Sequence, residues 1–204
     1  ITFDDGYTDW LPGVIPILED YNAHATFFIT TGQFSGLPMW NERILHAVSN
    51  ALPHLKELVV EGLPTGSLLL QSLPERIATI QTLDRHLKYL PLTQREIYLQ
   101  ALEYEAGVQI GDVPVMSASD LRTIHSKGFG IGSHTVGHPI LTSCNAEVAL
   151  REIVNAKEQL ESLIGGAVTA FAYPNGIPRK DFAAEHIELV KKAGYEYAVT
   201  THWG

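Results

Sequence analysis

Two short segments of this sequence bring together the residue types of a hydrolytic metal site. Near the start, Asp4 and Asp5 are adjacent in the run Thr-Phe-Asp-Asp-Gly, and far downstream His134 and His138 are four residues apart. A catalytic zinc ion usually takes three ligands from histidine and carboxylate side chains and keeps a fourth position for water, whose pKa it lowers. Two histidines and one aspartate meet this requirement, and the second aspartate is left to accept a proton. The two segments together predict a zinc-dependent hydrolase.

Each motif taken alone has a simpler explanation. Asp and Gly both suit turns, so Asp-Asp-Gly alone is more often a turn than a catalytic pair. Two histidines at this spacing also occur where each imidazole only makes hydrogen bonds. Gly132 and Ser133 before His134, and Pro139 after His138, argue against a long regular helix and favour a strand end followed by a tight turn. The joint occurrence of both motifs favours the metal site.

Alternating strand and helix patterns predict the frame that positions the motifs. Apolar and β-branched runs predict strands, namely at 1–3, 25–30, 129–132, up to residue 171, and at 197–200. Apolar residues at helical spacing predict the helices 9–22, 119–126, 146–163 and 182–193. Repeated βα units predict a parallel α/β sheet or barrel, and such barrels carry their chemistry at the carboxyl ends of the strands, where both motifs fall.

Between about residues 34 and 115 this alternation is interrupted. Helical patterns occur at 77–90 and 94–105, and a hairpin is predicted around residues 59–60 and 68–70. We interpret this segment as a mainly helical insertion in a single domain that spans residues 1–204.

Three motifs of the chain resemble those of one family, the polysaccharide deacetylases of NodB type, also called carbohydrate esterase family 4. That family opens with Thr-Phe-Asp-Asp-Gly at the end of its first barrel strand and continues with a His-Ser/Thr-x-x-x-His-like metal motif. One branch has a third motif reading Phe-Ala-Tyr-Pro-Asn-Gly, which matches residues 171–176. The resemblance implies a distorted, incomplete (β/α) barrel that removes acetyl groups from N-acetylated sugars of a polysaccharide or glycan.

The resemblance also implies a role for each residue of the first two motifs. It makes Asp5, His134 and His138 the ligands of a divalent metal, with zinc the expected ion. It makes Asp4 the catalytic base.

The third motif would line the acetyl pocket, which makes Tyr173 and Pro174 candidate substrate contacts. A backbone N–H in this turn would stabilise the oxyanion that forms when water attacks an acetyl carbonyl, and Asn175 is the candidate donor. Trp40, at the entrance to the insertion, is a candidate for stacking on a sugar ring.

Two departures from the family pattern leave other functions open. Many relatives hold the catalytic aspartate with an arginine where this chain has Ala172, and use a histidine on a later strand as general acid, beyond Gly204 here. The resemblance therefore implies truncation at the C-terminus. One alternative is a catalytically incomplete metal- and carbohydrate-binding module of the same fold. Another is a non-haem iron oxygenase, since two histidines and a carboxylate also suit that chemistry.

Composition narrows the class of partner. The net charge is −9, with 45% hydrophobic and 18% charged residues, as expected of a folded domain that does not neutralise phosphates. A neutral sugar is therefore favoured over nucleic acid or an anionic membrane surface. Cys144 is the single cysteine, and no apolar run reaches the length of a membrane span. Oligomeric state stays open, and only the resemblance suggests the cell envelope or an extracytoplasmic location.

Overall fold

The computed structural model describes residues 1–110 and 116–202, and the chain forms two compact units. The first unit consists of Ile1–Gly36 with Val115–Gly204, and the second is Leu37–Pro114. The insertion predicted at 34–115 stays a prediction, and residue 115, its predicted end, lies outside the described residues. In the part of the chain that the structure describes, none of the helices is long and apolar enough to cross a membrane.

The first unit is built on a five-stranded parallel sheet. The strands of the chain are β1 Thr2–Asp5, β2 Thr26–Ile29, β3 Glu57–Leu58, β4 Leu68–Leu69, β5 Gly130–Ser133, β6 Ala170–Ala172 and β7 Tyr197–Val199. The sheet has the order β1-β2-β5-β6-β7, and every neighbouring pair is parallel. Among the described strands, β1 and β7 lie at its two edges. This arrangement confirms the predicted α/β class and the incomplete (β/α) barrel.

Helices connect these strands and also make up most of the second unit. They are α1 Ile15–Asp20, α2 Trp40–Ser49, α3 Leu73–Leu87, α4 Leu92–Ala106, α5 Ala118–Ser126, α6 Ala146–Ile164 and α7 Ala184–Lys192. The helix predicted at 9–22 is shorter than expected, because a π-helical turn at Trp10–Val14 precedes α1. Pro16 lacks the N–H that a regular α-helix would direct at the carbonyl of Pro12.

The two faces of the sheet differ in the size of their side chains. One face contributes Phe27, Ile131 and Phe171 to a buried cluster with apolar side chains of α1, α5, α6 and α7. Each fully buried side chain of this kind stabilises the fold by about 1.5–3 kcal/mol. The opposite face carries small residues around Phe28. A Cβ added at Gly132 would lie 2.4 Å from two ring atoms of Phe28, so the ring occupies the space that a side chain there would need.

The second unit has its own core of leucines and small residues between α2, α3, α4 and the hairpin β3–β4. The helix predicted at 77–90 begins earlier, at Leu73. Ser72 caps its first turn, because the Ser72 Oγ accepts from the Glu75 N–H at 3.4 Å and the Glu75 carboxylate accepts from the Ser72 N–H at 2.8 Å. The predicted hairpin forms with shorter strands than expected, so Val59 and Val60 lie just beyond β3.

We expect His186 to make the fold less stable below about pH 6.5. Its side chain is buried, and Nδ1 accepts a hydrogen bond from the Ala183 N–H at 2.9 Å. Burial holds the pKa of His186 below its ordinary value of 6.5, while Glu185 and a bond to the Leu141 backbone oppose the shift. The unfolded chain therefore takes up a proton first as the pH falls, and stability present above pH 6.5 is lost towards the lower pKa of the folded state.

Urea unfolding at pH 7.5 and 5.5 checks this expectation. His186→Gln keeps an acceptor for the Ala183 N–H but does not titrate, so its unfolding free energy should fall less between the two pH values than that of the parent. The exposed His54→Gln is the matched control and should behave like the parent. Equal losses in the parent and in His186→Gln would contradict the assignment.

Candidate active site

β1 ends at Asp5 in a conformation that a side-chain-bearing residue seldom adopts. Its φ is 87°, in the region that favours glycine. Its carbonyl oxygen accepts hydrogen bonds from the Gln33 side chain at 2.6 Å and from the Thr30 N–H at 3.2 Å. Both donors come from the chain just after β2, so the neighbouring strand holds the backbone that aims the Asp5 carboxylate.

His134 follows the last residue of β5 and is buried. Its N–H donates to the Ile29 carbonyl at 2.9 Å, which continues the pairing of β5 with β2. On the other side, its ring Nδ1 lies 2.8 Å from the Ala172 carbonyl oxygen at the end of β6. Because a carbonyl oxygen can only accept, Nδ1 carries a proton, and in the neutral imidazole Nε2 presents a lone pair.

The segment from His134 to His138 is a tight turn with two residues at positive φ. Thr135 has φ 68° and His138 has φ 50°. The Thr135 hydroxyl oxygen accepts from the His138 N–H at 3.1 Å. The turn is also bound to the 3₁₀ helix Thr31–Ser35, since the N–H of Gly32 donates to the Val136 carbonyl at 2.9 Å. A Cβ on Gly32 would lie only 2.7 Å from that oxygen, so this close approach requires glycine.

Three donor atoms converge in the folded chain. The Nε2 atoms of His134 and His138 are 3.2 Å apart, and they lie 3.5 and 3.4 Å from Oδ1 of Asp5. Among residues 1–110 and 116–202, this is the one group of three His, Cys, Asp or Glu side chains arranged so that it could hold a metal ion. The structure therefore brings the three predicted ligands together.

The electrostatics of the cluster favour an added positive charge. Burial raises the pKa of the Asp5 carboxyl, and the neighbouring Asp4 raises it further, while His134 and a hydrogen bond from Tyr7 lower it. The net shift is upward, so the ionised carboxylate is disfavoured where it stands. A cation at the cluster would offset both the burial and the repulsion.

Asp4 lies beside the cluster and has different surroundings. It is exposed to solvent, and its register partner on β2 is Phe28, so it belongs to the face of the sheet opposite the helix-covered core. It is not a member of the three-residue cluster. The two adjacent aspartates are thus separated, with Asp5 directed at the histidines and Asp4 open to water.

The third motif follows β6 at the carboxyl end of the sheet, where Asp5 and His134 also lie. Tyr173 is buried, and its ring stacks on Phe182 with centroids 3.9 Å apart. Burial raises the pKa of Tyr173 to about 12. Pro174 is also buried, and its carbonyl accepts from the Gly176 N–H at 2.8 Å. The predicted substrate contacts of Tyr173 and Pro174 stay predictions.

Asn175 stands at the top of this turn. Its φ is 59°, and its carbonyl accepts from the Thr201 hydroxyl at 2.6 Å. The Asn175 N–H has no acceptor among the residues that the structure describes. The predicted role of Asn175 as a donor to an oxyanion stays a prediction.

Trp40 belongs to the second unit. It is buried in the core of that unit, with the Arg95 guanidinium 4.9 Å from its ring centroid. Its predicted role in stacking on a sugar stays a prediction, and its burial leaves little of the ring face for a ligand.

Reasoning from the sequence missed the residues that hold the site in place. The Gln33 side chain binds the Asp5 carbonyl, the Gly32 N–H binds the turn between the two histidines, and the Ala172 carbonyl binds the His134 ring. The fourth residue is Glu152. The Glu152 Oε2 accepts from the N–H groups of Val136 and Gly137 at 3.0 and 2.7 Å. Gly32 had a signal, because a glycine in a polar connection often marks a close backbone approach. The other contacts join a side chain to a distant backbone atom and leave no pattern.

Comparison with known proteins agrees with this geometry. The Bacillus subtilis (strain 168) protein YxkH, a polysaccharide deacetylase by name, is 24% identical over 106 residues, which are 52% of this chain and 37% of YxkH. The Streptococcus pyogenes deacetylase PplD, solved in complex with acetate, has a TM-score of 0.58 at 18% identity, covering 100% of this chain and 55% of PplD. The Bacillus cereus polysaccharide deacetylase BC0361 has a TM-score of 0.53 at 18% identity, covering 100% and 40%.

The two solved structures show that the fold is shared. The chain spans between 37% and 55% of the length of these three relatives. The sequence profile of the polysaccharide deacetylase family matches residues 1–63 and 96–198, which is well over half of the chain. The resemblance seen in the three motifs is thereby confirmed, and the chain belongs to the polysaccharide deacetylase family.

Proposed function

We propose that this chain is a zinc-dependent deacetylase that hydrolyses the amide C–N bond of N-acetylated sugars in a polysaccharide or glycan. The observation that carries the proposal is the triangle of His134 Nε2, His138 Nε2 and Asp5 Oδ1, with the exposed Asp4 beside it. Membership of the polysaccharide deacetylase family supports the substrate class. The net charge of −9 is compatible with a neutral sugar.

The donor atoms of the triangle support zinc. The two Nε2 atoms and the Asp5 Oδ1 lie 3.2, 3.4 and 3.5 Å from one another, close enough for all three to contact one ion. Two imidazoles and one carboxylate are also a frequent ligand set of catalytic zinc. The Nδ1 proton of His134 leaves Nε2 available as a ligand.

Residues around the triangle would transfer protons and bind the developing negative charge. A bound zinc ion would supply acidity to water and would polarise the acetyl carbonyl. Asp4 accepts a proton from the attacking water as its oxygen bonds to the acetyl carbon. The N–H of Asn175 donates to the oxygen that becomes negatively charged. The C–N bond then breaks, Asp4 returns a proton to the departing amine, and acetate and the free amino sugar are released.

We expect His134→Ala to abolish tight zinc binding. Loss of a group that merely orients a ligand costs about 10–100-fold in metal affinity, so loss of the ligand itself should cost more. Titration of the metal-free protein against a chromogenic zinc chelator measures the affinity. The exposed His24→Ala is the matched control and should bind like the parent. Equal zinc affinity of parent and His134→Ala would exclude the triangle as the metal site.

We expect Asp4→Asn to remove turnover while leaving zinc affinity near that of the parent. Loss of a general base lowers the rate by about 10²–10⁴-fold, and Asp4 is not part of the triangle. The measurement is acetate release from a panel of N-acetylated oligosaccharides by the zinc-loaded chain. Asp9→Asn removes another exposed carboxylate in the loop after β1 and should turn over like the parent.

Two outcomes of that experiment would contradict the proposal in different ways. Undiminished acetate release by Asp4→Asn would show that Asp4 is not the base. No release by a folded, zinc-loaded parent would favour the alternative, a metal- and carbohydrate-binding module that does not turn over.

A further inference from the structure

We propose that Glu152 is a positioning residue that sets the arrangement of the two histidine ligands, and through it the affinity and coordination geometry of the metal site. The inference rests on the metal site of the proposed function and adds to it a residue outside all three motifs. Glu152 lies on α6, 14 positions beyond His138 in the sequence.

The contact is made to the short segment between the ligands. The Glu152 Oε2 accepts from the Val136 N–H at 3.0 Å and from the Gly137 N–H at 2.7 Å. A carboxylate that accepts backbone N–H groups makes charge-assisted bonds, which are stronger than those between neutral groups. Two consecutive peptide groups between His134 and His138 are therefore bound to one oxygen atom.

The turn needs such a support because its backbone is unfavourable on its own. Thr135, which is β-branched, has φ 68°, and His138 has φ 50°. Conformations of this kind persist only where the surroundings hold them. If the turn relaxed, the His138 imidazole would leave its place 3.2 Å from the His134 ring nitrogen.

The turn is held by hydrogen bonds to its carbonyl groups and to its N–H groups, and Glu152 makes those to two of the N–H groups. On the carbonyl side, the N–H groups of Thr31 and Gly32 donate to the carbonyl oxygens of Thr135 and Val136 at 3.1 and 2.9 Å. On the N–H side, the carboxylate of Glu152 accepts. The next residue of α6, Ile153, is fully buried in the core under the sheet, so the carboxylate extends from a rigid element.

This placement predicts an effect on metal binding that a general stabilising contact would not have. His134 is fixed independently by β2 and by the Ala172 carbonyl. His138 follows the segment that Glu152 binds, so loss of the carboxylate should displace one ligand and leave the other. Loss of groups that orient ligands typically costs about 10–100-fold in metal affinity.

The test compares the parent chain of residues 1–204 with Glu152→Ala, Glu152→Gln, Glu152→Asp and Glu158→Ala, using zinc and cobalt as the probes. Competition with a zinc chelator gives the affinity, and the visible absorption of the cobalt-loaded protein reports the coordination geometry. Glu158 is an exposed glutamate on the same helix and is the matched control. Thermal unfolding of each metal-free variant separates folding from positioning.

We expect Glu152→Ala to bind zinc about 10–100-fold more weakly than the parent and to lose the tetrahedral cobalt spectrum. Glu152→Gln should recover much of the affinity, because its amide oxygen still accepts both N–H groups. Glu152→Asp keeps the charge but is one methylene shorter, so it should resemble Glu152→Ala. Glu158→Ala should match the parent.

Parent affinity and spectrum in Glu152→Ala would overturn the inference, as would equal losses in Glu152→Ala and Glu158→Ala. If Glu152→Ala does not fold, the pair Glu152→Gln and Glu152→Asp decides, and equal zinc affinity of these two would overturn it. A parent that binds neither zinc nor cobalt would instead refute the metal site of the proposed function, and this inference with it.

Discussion

The site depends on the hydrogen bond between the Nδ1 of His134 and the carbonyl oxygen of Ala172, 2.8 Å long, across the carboxyl ends of β5 and β6. The pairing of these two parallel strands places Nδ1 against a carbonyl oxygen, and the strand register therefore determines which ring nitrogen of the neutral imidazole carries the proton. The bond also orients the ring so that Nε2 lies within 3.5 Å of both other members of the triangle. A shift of one residue in that register would turn His134 to the other face of the sheet.

Backbone strain is concentrated at the same carboxyl end of the sheet. Six residues other than glycine have positive φ in the described ranges 1–110 and 116–202, and four of them belong to the three motifs, namely Asp5, Thr135, His138 and Asn175. Each such conformation costs of order 1–3 kcal/mol unless the residue is well suited to it. Gln33, Glu152 and the 3₁₀ helix after β2 bind carbonyl or N–H groups at or beside the first three of these positions, and the Thr201 hydroxyl donates to the Asn175 carbonyl. These hydrogen bonds therefore hold the site in backbone conformations that it would not keep without them.

Prediction from the sequence succeeded where a regular period was present. The pattern at 146–163 became α6, Ala146–Ile164, and the pattern at 119–126 became α5, Ala118–Ser126. It failed where single residues override the period. Pro16 changes the start of α1, and Ser72 with Glu75 moves the start of α3 to Leu73. These local effects depend on one missing or one added hydrogen bond, which an average over a window of residues does not detect.

The sequence by itself determined the residue types of the site, their order along the chain and their places at the carboxyl ends of parallel strands. Those properties follow from the motifs and from the alternation of strand and helix, which are local. Only the tertiary structure decided which ring nitrogen of His134 faces the Ala172 carbonyl, and the supporting roles of Gln33 and Glu152. The reason is physical: these contacts join side chains to backbone atoms 15 to 38 positions away, and a backbone acceptor or donor is the same for every residue type.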